Sequence, residues 1–430
     1  MLLSRRSLLK RTAGALGTAA ALSVPLHSFA QTRASREKLI LSAPLTHPDW
    51  MLKPNIAWGP QGVRHMLDAC KACGWSRVFW RTLDGGRSLY ASKLVRPEFK
   101  METDNIWDPQ TNAEKALYQK FFGNISEERR VEILAKQQRY DYGTFDTLAE
   151  AVRYGHQIGL QIQAWVSINE DDHGWGLASD FARQHPHFRW IRRNGTPYHT
   201  QMSFAFPEVR QYKFAIIQEL LGYQIDGLFI DWIRTGDIRD NPQNDAKGIA
   251  DYGYEQPNID ELRGRFGVSP QDIRADDPRW VGIRCEPQTK FMREMRKMTK
   301  LPIAVMVGHP WHYRGMGDKI DGNPRGLLLD VSTWAKEGLM DAAVAAGYYR
   351  DGGTATMAYR ALRDETGGAS GKVDVWYYGW VPQTVADFQR DTAAAREVGA
   401  SQILYWEADY IDDRSNAPEL KAAMSAEAKT

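Results

Sequence analysis

Short apolar runs and amphipathic stretches alternate along most of the chain. The stretches between the runs carry apolar residues at the spacing of three to four positions that is typical of helices. The runs of strand length are 39–43, 77–81, 160–167, 225–230, 302–307, 341–345, 372–378 and 401–407. Nearly continuous apolar runs are typical of parallel strands that are buried on both faces. Eight strand–helix units in alternation therefore predict an α/β fold, a parallel (β/α)8 TIM barrel.

The connecting segments divide into predicted helices and two long insertions. The predicted helices are 63–73, 145–158, 177–184, 207–221, 289–299, 327–337 and 385–398. The insertions, 91–142 and 235–281, are polar but rich in aromatic residues. Because insertions at the C-terminal face of a barrel extend its site, we expect both to fold over that face as walls of a cleft. The tail after Asp412 is predicted to be loosely held.

The first thirty residues resemble an export signal rather than part of the fold. A twin-arginine motif, Ser4-Arg5-Arg6-Ser7-Leu8-Leu9-Lys10, precedes an Ala- and Leu-rich run that ends in Ser28-Phe29-Ala30, a cleavage-type sequence. Residues 1–30 are therefore predicted as a signal peptide and 31–430 as one barrel domain. The expected partner is the twin-arginine export machinery, and the destination is the periplasm or the exterior. The run is short for a membrane span, so no stable anchor is expected after cleavage; an uncleaved anchor is the alternative.

Charge and cysteine content exclude several classes of function. The chain has 55 basic and 53 acidic residues; removing the four basic residues of the signal leaves 51 against 53, a charge of −2. This balance gives no indication of nucleic-acid binding. Of three cysteines, Cys70 and Cys73 share one face of a predicted helix, which favours apolar packing. Paired ligands at metal spacing are absent, so neither a metal nor a cofactor is predicted. Cation binding stays open only at the cluster Asp171-Asp172-His173.

The C-terminal ends of the predicted strands carry an unusual set of side chains. In TIM barrels this rim is where catalytic residues lie. Aromatic rings suit the C–H faces of pyranose sugars, and acids and amides suit their hydroxyl groups. Packing explains any single ring equally well, so the prediction of a sugar site rests on the whole set of side chains. The set comprises Arg81, Trp165, Asn169, Glu170, Asp231, Trp232, Arg234, His309, Trp311, Tyr348, Trp376, Tyr378, Trp406, Glu407 and Asp409. A carbohydrate substrate is the predicted partner.

Glycosidic bond cleavage requires two carboxyl groups, one as proton donor and one as nucleophile or base. Asp231, at the end of the apolar run 225–230, is the first candidate. The second stays open among Glu407, Glu170 and Glu255. Trp406 beside Glu407 could desolvate that acid, as a general acid requires. The sequence thus predicts an exported hydrolase of O-glycosidic bonds in a poly- or oligosaccharide; the alternative is a barrel that binds glycans without catalysis.

The middle of the chain resembles a known family. The segments Phe145–Trp165, His185–Trp190 with the Asn194–Gly195 turn, Phe206–Tyr212 and Asp226–Asp231 look like the corresponding units of the glycosyl-hydrolase-like family 10 barrel proteins. The resemblance covers about 142–234, and the later strands match only by pattern. It implies a (β/α)8 fold, action on a glycan, and equivalence of Asp231 to the acid of the family's fourth strand.

Overall fold

The structure of the protein is a computed structural model. It describes residues 39–45, 53, 56–97, 123–137, 139–171, 179–231, 233, 252–307, 328–345, 352–380, 382–406 and 416–429, with a few single residues between 109 and 119. The statements below concern these residues.

Eight parallel strands close into a barrel, which confirms the predicted fold class. The strands are β1 (Ile40–Leu45), β2 (Arg77–Asp84), β3 (Arg87–Ser88), β4 (Gln161–Ser167), β5 (Arg189–Ile191), β6 (Pro197–Met202), β7 (Gly227–Asp231), β8 (Ile303–Met306), β9 (Ala342–Val344), β10 (Asp374–Trp380) and β11 (Gln402–Trp406). The barrel order is β1-β2-β4-β7-β8-β9-β10-β11, and β11 pairs with β1 to close it. Strand β3 is a short antiparallel extension of β2, and β5 and β6 form a separate hairpin.

Helices alternate with the strands along the chain. They are α1 (Pro60–Ala72), α2 (Glu127–Gln137), α3 (Thr147–Gln157), α4 (Asp180–Gln184), α5 (Pro207–Leu220), α6 (Gln256–Phe266), α7 (Pro278–Met298), α8 (Val331–Lys336), α9 (Gly352–Glu365), α10 (Val385–Glu397) and α11 (Ala417–Glu427). Cys70 and Cys73, at the end of α1, are both buried, in agreement with the predicted packing role. None of the described helices is both long enough and apolar enough to cross a bilayer.

The barrel interior is filled by large side chains from alternate positions of the strands. Phe79, Trp165, Phe229 and Leu404 belong to one buried cluster that includes residues of β8, β9 and β10. Because successive side chains of a strand point to opposite faces, residues two apart share the interior. The pair Phe229 and Asp231 on β7 therefore places an apolar ring inside the barrel and the carboxylate above it, at the rim.

The chain divides into two compact units. The first unit comprises 1–37 and 101–139, and the helix α2 belongs to it. The second unit comprises 38–100 and 140–430 and contains the barrel. The predicted insertion 91–142 falls largely in the first unit, so its role as a cleft wall stays a prediction. The described part of the other insertion, 252–281, belongs to the barrel unit.

The β5–β6 hairpin and the segment 252–281 form a shared structure beside the barrel. The hairpin lies in the connection from β4 to β7, and the segment 252–281 lies in the connection from β7 to β8. Each connection leaves the C-terminal end of a barrel strand. The two are joined by a bridge between Arg192 and Tyr252 and by hydrogen bonds from the backbone N–H groups of Gly253 and Tyr254 to the carbonyl of Ile191. The described part of this predicted insertion thus packs on its neighbour and is not a solvated linker.

The C-terminal tail is better ordered than its sequence predicts. Helix α11 buries Leu420 and Met424. Its last turn packs against the end of α1, where a Cβ on Gly74 would lie 2.6 Å from Cβ of Ala428. Gly74 also has φ +77°, which favours glycine. The tail is therefore part of the outer helical layer.

Candidate functional site

Asp231 is the last residue of β7 and lies at the C-terminal end of the barrel. Its side chain is 1% exposed, and its Oδ2 accepts a hydrogen bond of 3.3 Å from Nε1 of Trp165 on the neighbouring strand. The strand register pairs Asp231 with Ser167, and the N–H of Ile168 donates to the Asp231 carbonyl at 3.0 Å. Both backbone and side chain of Asp231 are thus held by β4, as a preorganised catalytic group requires.

Arg81 lies over the face of the Trp165 ring. Its guanidinium carbon is 4.6 Å from the centroid of the indole ring. Its Nη2 donates to Asp84 Oδ1 at 2.5 Å, to Ser167 Oγ at 3.1 Å and to Glu170 Oε2 at 3.4 Å. A guanidinium that is stacked and hydrogen-bonded to several groups has little rotational freedom. The structure thus brings Arg81, Trp165, Glu170 and Asp231 together at one end of the barrel.

Two members of this rim do not follow from the sequence analysis. Asp84 is buried and makes the shortest of the Arg81 contacts; its position three residues after Arg81 at a strand end was the available signal. Trp380 is the last residue of β10 and pairs in register with Trp406 on β11. The Trp406 ring lies 4.9 Å from Trp165 at an interplanar angle of 61°. Trp380 and Trp406 are only partly buried, so the aromatic surface at the rim includes both rings.

The structure corrects the position predicted for Trp376. Its Nε1 donates to Asp374 Oδ2 at 3.0 Å, and Asp374 is the first residue of β10. Its ring lies 5.4 Å from the guanidinium of Arg77, which begins β2. Trp376 therefore closes the N-terminal half of the barrel and is remote from the rim. Tyr378, one inward position further along β10, is 4% exposed and belongs to the interior cluster, so its role is packing as well.

Glu255 is also in a different environment from the one predicted. It is 2% exposed and accepts hydrogen bonds from Ser203 Oγ at 2.5 Å, Asn258 Nδ2 at 3.1 Å and the N–H of Ile191 at 3.2 Å. Burial raises the pKa of this carboxyl to about 7, against the opposing effect of the Ser203 and Ile191 donors and of Arg284. All of these contacts belong to the joint between the hairpin and 252–281. The structure therefore places Glu255 in that joint, and its predicted part in sugar binding or acid catalysis stays a prediction.

The segment 168–171, which follows β4, is held by a buried ion pair. Nζ of Lys213, on α5, lies 2.9 and 2.8 Å from the two carboxylate oxygens of Asp171, and Ser179 Oγ donates to Oδ1 at 3.0 Å. The side chains of Lys213 and Asp171 are both fully buried. The charge of Asp171 is therefore met by an ammonium group. Among the described residues there is no cluster of three His, Cys, Asp or Glu side chains suited to a metal ion.

Asn169 lies in the same segment and is fully buried. Neither its Oδ1 nor its Nδ2 has a hydrogen-bond partner within the described part of the chain. The remaining predicted site residues lie outside the described residues. These are Trp232, Arg234, His309, Trp311, Tyr348, Glu407 and Asp409.

The similarity of this chain to known proteins is a similarity of fold. No family model and no curated protein matches the chain, so membership of the family that it resembles stays a prediction. The PgaB (BpsB) glycoside hydrolase domain from Bordetella bronchiseptica superposes with a TM-score of 0.53 at 14% identity, covering 90% of this chain and 99% of that one. The catalytic domain of β-amylase from Paenibacillus polymyxa superposes with a TM-score of 0.52 at 11% identity, covering 92% and 100%. The chain has the TIM-barrel fold of these two glycosidase domains.

Proposed function

We propose that the protein hydrolyses O-glycosidic bonds in a poly- or oligosaccharide, with Asp231 as the nucleophile or base. The single observation that carries the proposal is the position of Asp231. Its carboxylate is buried at the C-terminal end of a barrel strand, held by Trp165 and close to the rim tryptophans. A fixed carboxylate there would stabilise the positive charge that develops on the sugar in an oxocarbenium-like transition state. The folds of the two glycosidase domains support the same proposal.

The second carboxyl group is assigned to Glu407, which follows β11 and Trp406 in sequence. Of the other two candidates, Glu255 is engaged in the joint between the insertions. Glu170 lies against the guanidinium of Arg81; such a contact suits an ionised carboxylate, whereas the acid that protonates a leaving group must carry a proton. The distinction makes Glu170 an electrostatic group of the rim in this proposal.

Substitution of Asp231 by asparagine tests the proposal, because it keeps the shape of the side chain and removes its charge. Release of reducing ends from a panel of polysaccharides should fall by at least about 10²- to 10³-fold, the scale for loss of one electrostatic stabiliser, while binding to the same glycans persists. Asp226→Asn is the matched control. Asp226 immediately precedes the same strand at its opposite end, where it accepts a hydrogen bond from the Ile162 N–H at 2.6 Å. Hydrolysis at the wild-type rate by Asp231→Asn would refute the assignment.

The role of Glu407 has its own test. Glu407→Gln should lose activity on polysaccharides and recover it on aryl glycosides with a good leaving group, which need no proton donor. If Glu407→Gln is normal on all substrates, the acid role passes to Glu170. If the wild-type protein binds glycans and releases no sugar from any of them, the chain is a glycan-binding barrel instead.

Export through the twin-arginine pathway is proposed from the motif at 4–10 alone. Replacing Arg5 and Arg6 with lysine should keep the protein in the cytoplasm, since that pair is the feature which the pathway recognises. Cell fractionation with an antibody against the barrel measures the distribution. Normal delivery of the lysine variant would remove the argument for localisation.

A further inference from the structure

The backbone around Asn169 is fixed without any contribution from its side chain. Before it, the N–H of Ile168 donates to the carbonyl of Asp231, and Ser167 accepts from Arg81. After it, the Asp171 carbonyl accepts from the N–H of Ser179 at 2.7 Å, and the Asp171 side chain is held by Lys213 and Ser179. The loop would therefore keep its conformation with an apolar residue at position 169.

A carboxamide at such a position opposes folding. Its oxygen accepts two hydrogen bonds and its nitrogen donates two, and burying these groups without partners is unfavourable. Buried polar groups in native proteins are almost always hydrogen-bonded, so an unpartnered one points to a partner outside the protein chain, such as a water, an ion or a ligand. Asn169 is fully buried and unpartnered within the described chain, and a leucine, which has the same branching without polar atoms, would avoid the cost.

The position of Asn169 in the rim indicates what it serves. It stands two residues beyond Ser167, the register partner of Asp231, and immediately before Glu170, which contacts Arg81. The amide is thus in the loop that links the Asp231 contact to the Arg81 contact. A group that both donates and accepts matches two neighbouring hydroxyl groups, since each hydroxyl also donates and accepts.

We propose that Asn169 determines sugar specificity by hydrogen bonding two adjacent hydroxyl groups of the pyranose bound over Asp231. The proposal rests on the carbohydrate substrate of the proposed function, but not on catalysis. A site that is built to hydrogen-bond a hydroxyl discriminates strongly against an analogue that lacks it, because its own polar group is then left unpaired. The same arrangement lowers the stability of the unliganded protein, because the polar atoms of the Asn169 amide then have no hydrogen-bond partner among the described residues.

The first experiment compares the stability of unliganded Asn169→Leu and Asn169→Ala with that of the wild type. The midpoint of urea unfolding should be higher for Asn169→Leu, because the substitution removes the buried polar atoms and keeps the branching of the side chain. Asn169→Ala provides a second variant in case leucine does not fit. A lower midpoint for both variants would mean that the amide is satisfied inside the folded protein, and would overturn the proposal.

The second experiment measures binding of D-glucose, D-galactose and D-mannose, and of 2-deoxy- and 3-deoxy-D-glucose and 2-deoxy-D-galactose, by saturation-transfer NMR and titration. The wild type should bind one parent sugar at least about 10-fold more tightly than a deoxy form, and Asn169→Leu should bind the two equally weakly. Gln163→Leu is the matched control: Gln163 is an earlier residue of β4, its Oε1 is also buried without a partner among described residues, and its loss should leave binding unchanged.

The outcomes separate this proposal from the hydrolase proposal. Discrimination that persists in Asp231→Asn and disappears in Asn169→Leu supports the role of Asn169, whether or not any glycan is hydrolysed. Wild-type discrimination by Asn169→Leu overturns it even if Asp231 proves to be catalytic. Failure of the wild type to bind any of the sugars overturns it too.

Discussion

Replacing Glu255 with glutamine should change how the stability of the protein depends on pH. The pKa of this carboxyl is raised from its ordinary 4.5 to about 7, mainly because burial penalises the charged form. The folded protein therefore holds a proton that the unfolded chain releases at lower pH. The stabilisation of the folded protein by this proton is fully present below about pH 4.5 and is lost as the pH rises through 7.

The size of the effect follows from the same two values. One pKa unit corresponds to about 1.4 kcal/mol, so ionisation of Glu255 should cost ~3 kcal/mol of unfolding free energy across this range. Glutamine cannot ionise, and the variant should lack this part of the pH dependence. Because glutamine places an NH2 group where the carboxylate accepted hydrogen bonds from Ser203, Asn258 and Ile191, it should also be less stable than the protonated wild type by about 1–3 kcal/mol.

Urea unfolding followed by tryptophan fluorescence at several values between pH 4.5 and 8 measures both quantities. The wild-type free energy of unfolding should fall relative to that of Glu255→Gln as the pH rises, so the two curves converge or cross near neutrality. Glu208→Gln, a change at an exposed position in the first turn of α5, should run parallel to the wild type. Parallel curves for Glu255→Gln and the wild type would refute the link between burial, pKa and stability at this joint.

Lys213→Met and Gly253→Ala test two further buried contacts of the barrel unit. Lys213→Met should lower the free energy of unfolding by about 3–5 kcal/mol, because the Asp171 carboxylate stays buried without its cation; adding Asp171→Asn should recover part of the loss in urea titrations. Gly253→Ala should destabilise by about 1–3 kcal/mol, because its φ is +100° and its Cβ would lie 2.5 Å from Cδ of Arg284. Gly264→Ala, in open space on α6, should instead stabilise by about 0.5–1 kcal/mol in thermal unfolding. Equal effects of the two alanines would contradict this.

The barrel could be predicted because its strands are continuous apolar runs, and the place of Asp231 because an acid ends one of them. The end of β10 could not be predicted, because Gly379 resembles a strand terminator. In the structure Gly379 continues the strand, and a Cβ there would lie 2.7 Å from the ring of Tyr405 on β11. The close ring requires the glycine. This tertiary contact moves the rim position from Tyr378 to Trp380.

The environment of Glu255 was beyond sequence reasoning for a related reason. Its burial depends on a hairpin more than 50 residues earlier in the chain, with which the segment 252–255 forms hydrogen bonds. Neither segment has the alternating pattern of a longer strand, and neither buries the carboxylate alone. The predicted helix 289–299 is likewise only part of a longer helix, because α7 runs from Pro278 through Pro287 to Met298. Local patterns identify elements, and contacts between distant elements determine what their side chains do.

Closure of the barrel joins its first strand to its last. The barrel can therefore close only after β11 has been synthesised. Ser42 on β1 donates to the carbonyl of Ile403 on β11 at 3.1 Å, across 361 positions, and Gln402 Nε2 donates back to Ser42 Oγ. Until β11 leaves the ribosome, β1 and β10 each present an open sheet edge, which is a template for pairing with other chains. Contacts this distant in sequence also form slowly. Both edges therefore stay open to pairing with other chains until the last barrel strand has been made.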